Sequence, residues 1–111
     1  MKVQSERRDD LAILSVTGEL NGDSVAKFNE AVAAARAQEL RDFIVDVKEI
    51  TAIDSAGLEA LSALQRQCEE QLGMVRFCGA DETLRKIFEI TRLDKRFIID
   101  GTVEQALAGF A

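Results

Sequence analysis

The sequence contains no histidine, proline, tryptophan or tyrosine, and only two of its 111 residues are cysteines. Without histidine, no imidazole can act as a general base, a nucleophile or a metal ligand. Six phenylalanines are the only aromatic residues, which is a small supply for stacking on bases or sugars. These absences favour a protein that is not an enzyme.

The two cysteines do not form a recognisable metal or redox motif. Cys68 and Cys78 lack the Cys-x-x-Cys spacing, and no histidine or second cysteine pair could complete a zinc site. We therefore expect no metal and two buried, unpaired thiols in a reducing compartment. No apolar run approaches the roughly 20 residues of a membrane-spanning helix, and residues 1–6 lack the apolar stretch of a secretory signal. A cytoplasmic location without a membrane span is expected.

Charge and length limit the classes of partner. The chain has 14 basic and 20 acidic residues, a formal charge of −6, which argues against nucleic-acid binding through general basicity. Hydrophobic residues make up 47% and charged residues 31%, an ordinary globular balance. No linker or repeat interrupts the chain, so one domain over residues 1–111 is predicted, and we expect it to be a monomer.

Hydrophobic periodicity predicts strands alternating with helices, in the order β-β-α-β-α-β-α-(β)-α. Strands are predicted at residues 3–6, 11–16, 43–47, 74–78 and 97–99. The inward residues of the helices are predicted to be Val25, Phe28, Val32 and Ala35, then Leu58, Leu61, Leu64, Cys68 and Leu72, then Leu84, Ile87 and Phe88, and finally Ala106 and Leu107. This order predicts an α/β fold with a mixed sheet of four to five strands and about four helices.

Turn and capping residues mark the predicted ends of these elements. The predictions are a turn at Asp9-Asp10, a loop over residues 18–22, a cap at Asp23 or Ser24, a connection over residues 48–55, a left-handed cap at Gly73, and a capping box of Thr102 and Gln105. Residues 85–96 include five basic residues. The simplest interpretation of this run is a solvated helix surface, and the alternative is a docking surface.

The segment Ile53-Asp54-Ser55-Ala56-Gly57-Leu58 places a carboxylate and a hydroxyl at the start of a helix, directly after a strand. Unpaired N–H groups and the helix dipole stabilise an anion at such a position. A phosphate on Ser55 would add about −1.5 to −2 charges beside Asp54. The structural alternative is that Ser55 or Asp54 simply caps the helix.

Several segments in the same order resemble one family. Asp54-Ser55-Ala56-Gly57-Leu58 resembles the Asp-Ser-x-Gly-Leu motif of the STAS domain family, which includes the bacterial anti-sigma factor antagonists. Gly18-Glu19-Leu20-Asn21 is similar to that family's Gly-x-Leu-Asp loop. Residues 85–94, followed by 97–99, resemble its late helix and strand, and residues 103–107 resemble its closing helix. The resemblance covers essentially the whole chain and implies a single STAS-like domain.

The resemblance implies that the chain is an anti-sigma factor antagonist that acts by partner switching. The unphosphorylated form would bind an anti-sigma factor that is also a serine kinase and thereby free the sigma factor. Phosphorylation of Ser55 would release the complex, and a metal-dependent serine phosphatase would reset it. The antagonist itself would need no cofactor. The residues implied in partner binding are Asn21, Asp23, Asp54, Ala56 and Gly57.

One position departs from the family pattern. Asn21 stands where many phosphorylated members carry aspartate, so the hydrogen-bonding shape is kept and the charge is lost. Asp23 is a candidate to supply that charge. The alternative functions are a regulatory subunit of a lipid-transport ABC complex and another docking module that is not phosphorylated. An enzyme using Asp54 and Ser55 directly lacks an evident base, and no glycine-rich nucleotide motif is present.

Overall fold

The computed structural model describes residues 1–110; Ala111, the last residue of the predicted domain, lies outside the described part. The strands are β1 (Lys2–Arg8), β2 (Leu11–Leu20), β3 (Asp42–Ile53), β4 (Val75–Cys78) and β5 (Ile98–Asp100). The helices are α1 (Val25–Ala37), α2 (Ser55–Glu70), α3 (Glu82–Ile90) and α4 (Val103–Ala108), with a 3-10 turn at Leu93–Lys95. The predicted element order is confirmed.

The five strands form one mixed sheet in the order β1-β2-β3-β4-β5. β1 and β2 are antiparallel, and the tight turn at Asp9-Asp10 joins them, with Asp9 in the left-handed region at φ 54°. The remaining neighbours are parallel. Since a parallel neighbour requires a crossover, helices separate these strands in the chain. The predicted α/β class with a mixed sheet is confirmed.

The central strand β3 separates two hydrophobic clusters. Residues 43–47 are all buried, as predicted for a strand covered on both faces. Alternate side chains point to opposite faces, so Phe43 and Val45 lie in the main core and Ile44 lies in a smaller cluster beneath α4. The main core also contains the predicted inner faces of α1, α2 and α3, with the exception of Leu72. Phe97 packs there between Phe77 and Phe88, at ring-centroid distances of 4.3 and 5.4 Å.

The largest correction concerns the ends of β2 and β3. Residues 18–20 were predicted as loop and residues 48–53 as connection, but they pair with each other and extend both strands. Gly18 pairs with Ile50 and Leu20 with Ile53, after register shifts between Ser15 and Thr17 and between Gly18 and Glu19. Gly18 lies in the left-handed region at φ 99°. The extension is largely exposed and therefore lacks the apolar pattern of a buried strand. It carries the ends of both strands to a common edge.

The end of α2 also differs from the prediction. Leu72 was expected on the inner face, yet it lies beyond the helix and is 90% exposed. The left-handed residue is Leu72, at φ 59°, and not Gly73. Gly73 is required for another reason, because a Cβ atom there would overlap the carbonyl of Arg41. The chain therefore leaves the helix one residue earlier than the glycine indicates.

Smaller predictions have mixed outcomes. The last strand is Ile98–Asp100, one residue later than predicted, because the Phe97 N–H donates to the Leu93 carbonyl of the preceding turn at 2.8 Å. The capping box of Thr102 and Gln105 is confirmed, and both cysteines are free and buried as expected. Within residues 1–110, no helix is both long and apolar enough to cross a membrane.

Candidate functional site

The site forms where the extended ends of β2 and β3 lie side by side. Asp54 follows β3 directly, and its backbone N–H donates to the carbonyl of Leu20 at the end of β2, at 3.3 Å. Ser55 is the first residue of α2. The pairing of the two parallel strands thus brings the β2–α1 loop against the start of α2.

Asp54 joins these two segments through both of its carboxylate oxygens. Oδ1 accepts the N–H of Gly57 at 2.9 Å, which caps α2. Oδ2 accepts the N–H of Gly22 at 3.2 Å, across 32 residues of sequence. These bonds, that from Gly57 most strongly, lower the pKa of Asp54 from its ordinary value of 3.8. Of the two predicted capping residues, Asp54 performs the role and Ser55 does not.

Ser55 is left with an uncommitted side chain. It is exposed, and in the described part of the chain its hydroxyl has no hydrogen-bond partner. Asp54 directs both oxygens to backbone N–H groups, so the two residues do not form a nucleophile–base pair. A hydroxyl without a neighbouring base is not activated for chemistry of its own. It is instead accessible to an external catalyst.

Close packing explains the small residues that follow Ser55. Gly57 is buried, and a Cβ atom there would overlap the carbonyl of Leu20 and the side chain of Ile53. Glycine therefore lets the first turn of α2 lie against the end of β2. Ala56 is partly buried beside Gly22. A Cβ atom added to Gly22 would lie 4.0 Å from the Cβ atom of Ala56.

The β2–α1 loop is held by its own side chains. Asn21 Oδ1 accepts the N–H groups of Asp23 and Ser24, at 3.0 and 3.1 Å. Ser24 Oγ accepts the N–H of Asn21 at 3.0 Å and donates to the carbonyl of Glu19 at 2.7 Å. Ser24 occupies the N-cap position of α1, as predicted, but its side chain makes no capping bond. Asp23 is exposed and does not cap the helix.

The surface around Ser55 is acidic. Glu19, Asp23 and Glu59 are exposed near the two loops, in addition to Asp54. Glu59 forms an ion pair with Arg66 at 3.3 Å, both largely exposed. No cluster of three or more potential metal-ligating side chains occurs in residues 1–110. The arrangement suits a protein partner that carries complementary charge.

The bond from Gly22 to Asp54 places the two segments that carry the predicted site residues against each other. Asn21 and Asp23 lie in one loop, and Asp54, Ala56 and Gly57 surround Ser55 at the other. Sequence reasoning missed Gly22 and Leu20, whose backbone groups tie the loops together. The Asn-Gly pair indicated a turn, but nothing in the spacing showed that its N–H reaches Asp54.

Comparison with known proteins places this geometry in a family. BtrV of Bordetella bronchiseptica, whose name describes it as an anti-sigma factor antagonist, is 24% identical over 110 residues, 99% of this chain and 95% of that protein. A Thermotoga maritima structure with the same description aligns at TM-score 0.89 and 19% identity, over 96% of this chain and 92% of that one.

The anti-sigma factor antagonist SpoIIAA of Bacillus aligns in both of its states. The unphosphorylated form has TM-score 0.81 and 22% identity, over 96% of this chain and 93% of that one. The phosphorylated form has TM-score 0.78 and 21% identity, over 99% of this chain and all of that one. These likenesses establish the fold. The sequence model of the STAS domain matches residues 2–106, nearly the whole chain, and the chain therefore belongs to the STAS domain family.

Proposed function

We propose that this protein is an anti-sigma factor antagonist that binds its anti-sigma factor when Ser55 is unphosphorylated and is released when Ser55 is phosphorylated. The observation that carries the proposal is the exposed, unbonded hydroxyl of Ser55 beside a helix cap already provided by Asp54. The names of BtrV and SpoIIAA support the assignment, and the two SpoIIAA structures show that a relative exists in both phosphorylation states.

The proposed reaction is phosphoryl transfer from ATP by the anti-sigma factor acting as a serine kinase. The bond from Ser55 Oγ to the γ-phosphorus forms, and the bond from that phosphorus to the β–γ bridging oxygen breaks. The hydroxyl proton passes to a base on the kinase, because Asp54 has a lowered pKa and both its oxygens accept N–H bonds. This chain supplies the acceptor and its position. A serine phosphatase would restore the hydroxyl.

The phosphate is expected to act on binding more than on the fold. It adds about −1.5 to −2 charges on the surface that carries Glu19 and Asp23. The Gly57 N–H, which a helix start could otherwise offer to the phosphate, is already bonded to Asp54. The new oxygens therefore remain on the surface, where a partner that fits an uncharged hydroxyl would have to desolvate their charge in order to bind.

Asn21 does not argue against docking at this surface. Its Oδ1 accepts two N–H groups of its own loop, a role that an aspartate oxygen would fill in the same way. Its Nδ2 lies 3.4 Å from Glu19 Oε2, where a second carboxylate would be repelled. The substitution therefore keeps the shape of the loop, while Glu19 and Asp23 retain negative charge near Ser55.

The test is calorimetric binding of the anti-sigma factor to wild type, Ser55→Ala and Ser55→Asp. Ser55→Ala should bind like wild type, and Ser55→Asp should bind about tenfold or more weakly because it buries a charge in a contact that fits an uncharged hydroxyl. Ser5→Asp adds the same charge on the exposed edge strand β1 and should leave binding unchanged. Equal affinities of Ser55→Asp and wild type would assign the protein to docking without phosphorylation.

A further inference from the structure

A second surface of opposite charge lies on α3 and the turn that follows it. Residues 85–96 contain five basic and two acidic residues, in a chain whose formal charge is −6. We use the term α3 basic surface for Lys86, Ile90, Arg92 and Lys95. The partner switch described above leaves these residues without a role.

Ile90 is an apolar side chain that the core does not use. It is the last residue of α3 and is 81% exposed, whereas Leu84 and Phe88 of the same helix are buried. Lys86 precedes it by four residues and therefore lies on the same face of the helix. An exposed apolar residue with a cation on the same helix face has the anatomy of a contact centre with a charged rim.

Arg92 occupies a backbone conformation that favours glycine. The φ angle of Arg92 is 63°. Two backbone bonds fix the turn: the Arg92 N–H donates to the Glu89 carbonyl at 3.1 Å, and the Lys95 N–H donates to the Arg92 carbonyl at 3.2 Å. A non-glycine residue in this region costs about 1–3 kcal/mol. The backbone therefore gives no reason for an arginine here, and the turn joins Arg92 and Lys95 through their backbones.

These cations are not engaged in stabilising the fold. Within residues 1–110, Arg92 and Lys95 form no ion pair, and Lys86 meets only the largely exposed Glu82, at 3.8 Å. Their neighbours differ in this respect. Arg85 donates to the Ala80 carbonyl, and Arg96 donates to Ser62 of α2 at 3.3 Å.

The α3 basic surface borders the elements that carry Ser55. The bond from Arg96 to Ser62 holds the end of the turn against α2. Ile53, two residues before Ser55, lines a cavity of about 130 Å³ together with Leu84 and Ile87 of α3. A single partner can therefore reach both surfaces.

We propose that the α3 basic surface is a second contact for the same anti-sigma factor, fitting an acidic area of that protein around an apolar pocket that receives Ile90. This inference rests on the proposed function. The acidic surface around Ser55 selects a basic area of the partner. The α3 basic surface selects an acidic area of the same partner. Two contacts of opposite charge fix a single orientation of the complex, with Ser55 presented to the kinase. Nucleic acid fits less well, because the chain is acidic overall and residues 1–110 contain no exposed aromatic side chain.

The test compares association kinetics of the anti-sigma factor with Lys86→Glu/Lys95→Glu and with a control, Lys2→Glu/Arg7→Glu, which changes the net charge equally on the exposed edge strand β1. The first variant should associate about tenfold more slowly at low salt, and the KM for Ser55 phosphorylation should rise with kcat unchanged. The control should behave like wild type in both measurements.

Two single substitutions separate a contact from a structural role. Ile90→Ala should raise the dissociation rate several-fold, while Leu72→Ala, at an equally exposed leucine, should not. Arg92→Gly relieves the left-handed backbone, so it should keep or raise the urea midpoint and still weaken binding. A parallel loss of stability and affinity would instead assign Arg92 to the fold and contradict the proposal.

The outcomes separate the two proposals. If wild type binds and Ser55→Asp does not, but the α3 variants match their controls, this inference is wrong and the partner switch stands. If wild type does not bind the anti-sigma factor, both are wrong. If Lys86→Glu/Lys95→Glu abolishes binding to duplex DNA or to anionic phospholipid vesicles and leaves binding to the anti-sigma factor unchanged, the surface serves a different ligand and the inference is overturned.

Discussion

Asp54 and Ser55 are adjacent residues with separate tasks. Both oxygens of Asp54 are used within the fold, one on α2 and one on the β2–α1 loop, while the Ser55 hydroxyl is free for a partner. The sequence predicted that a carboxylate and a hydroxyl would meet at a helix start. It could not decide which of them caps the helix, because serine and aspartate are both favoured there.

The carboxylate of Asp54 should give the protein a pH-dependent stability. Its pKa is lowered in the fold by the N–H bonds from Gly57 and Gly22, so the stabilisation is present above the ordinary pKa of 3.8 and is lost as the pH falls through the lowered value. Asp54→Asn should therefore have a lower urea midpoint than wild type at pH 7. The difference should shrink as the pH falls below 3.8 and through the lowered pKa of Asp54. A difference that does not change with pH would contradict the two-sided bonding of Asp54.

At the level of elements, α2 is defined by one buried face. Leu61, Leu64 and Cys68 are at most 1% exposed and pack on the sheet, as helical spacing predicted. Leu72 continues the same spacing but is exposed, because the helix ends at Glu70 and the chain turns away. The spacing of apolar residues predicts which side of a helix is buried, but it does not predict the residue at which the helix ends.

Leu64→Ala should test the buried face of α2. Removing this side chain leaves a cavity and should lower the free energy of unfolding by about 2–5 kcal/mol, measured by urea titration. Leu72→Ala provides the matched control and should change it by less than about 0.5 kcal/mol, since the side chain is exposed. Similar losses for the two variants would mean that the face of α2 is misassigned.

The strand extensions show a second limit of sequence reasoning. The buried half of β3, residues 43–47, is apolar and β-branched, and it was predicted correctly. Its continuation to Ile53 is mostly exposed and follows no apolar alternation, so it was predicted as a connection. Only the pairing with β2 reveals it as a strand, and pairing between distant segments is not encoded in local composition.

At the scale of the whole molecule, one sheet divides two cores of unequal size, and each contains one thiol. Cys68 lies in the main core under α2, and Cys78 lies in the smaller cluster beneath α4. The contact that completes the site, between Gly22 and Asp54, spans the β2–α1–β3 unit. The order of elements predicted the sheet, but this contact follows from the register of the strands, which the sequence alone does not show.

The two thiols should report on unfolding of both cores. Burial raises the pKa of Cys68 to about 11 and that of Cys78 to about 12, so little thiolate is present at neutral pH. Both thiols should react slowly with a thiol reagent in the native protein. As urea is added, the two labelling rates should rise together. Rapid labelling of one cysteine without denaturant would show that its core opens independently.

The central claim is that Ser55 accepts the phosphate that switches partner binding. The direct measurement is phosphosite mapping by mass spectrometry after incubation with the anti-sigma factor and ATP, for wild type and for Ser55→Ala. Wild type should gain one phosphate, located on Ser55, and Ser55→Ala, which keeps the Asp54 cap and the fold, should gain none. An unmodified wild type in a complex that forms, or a phosphate that persists in Ser55→Ala, would contradict the account.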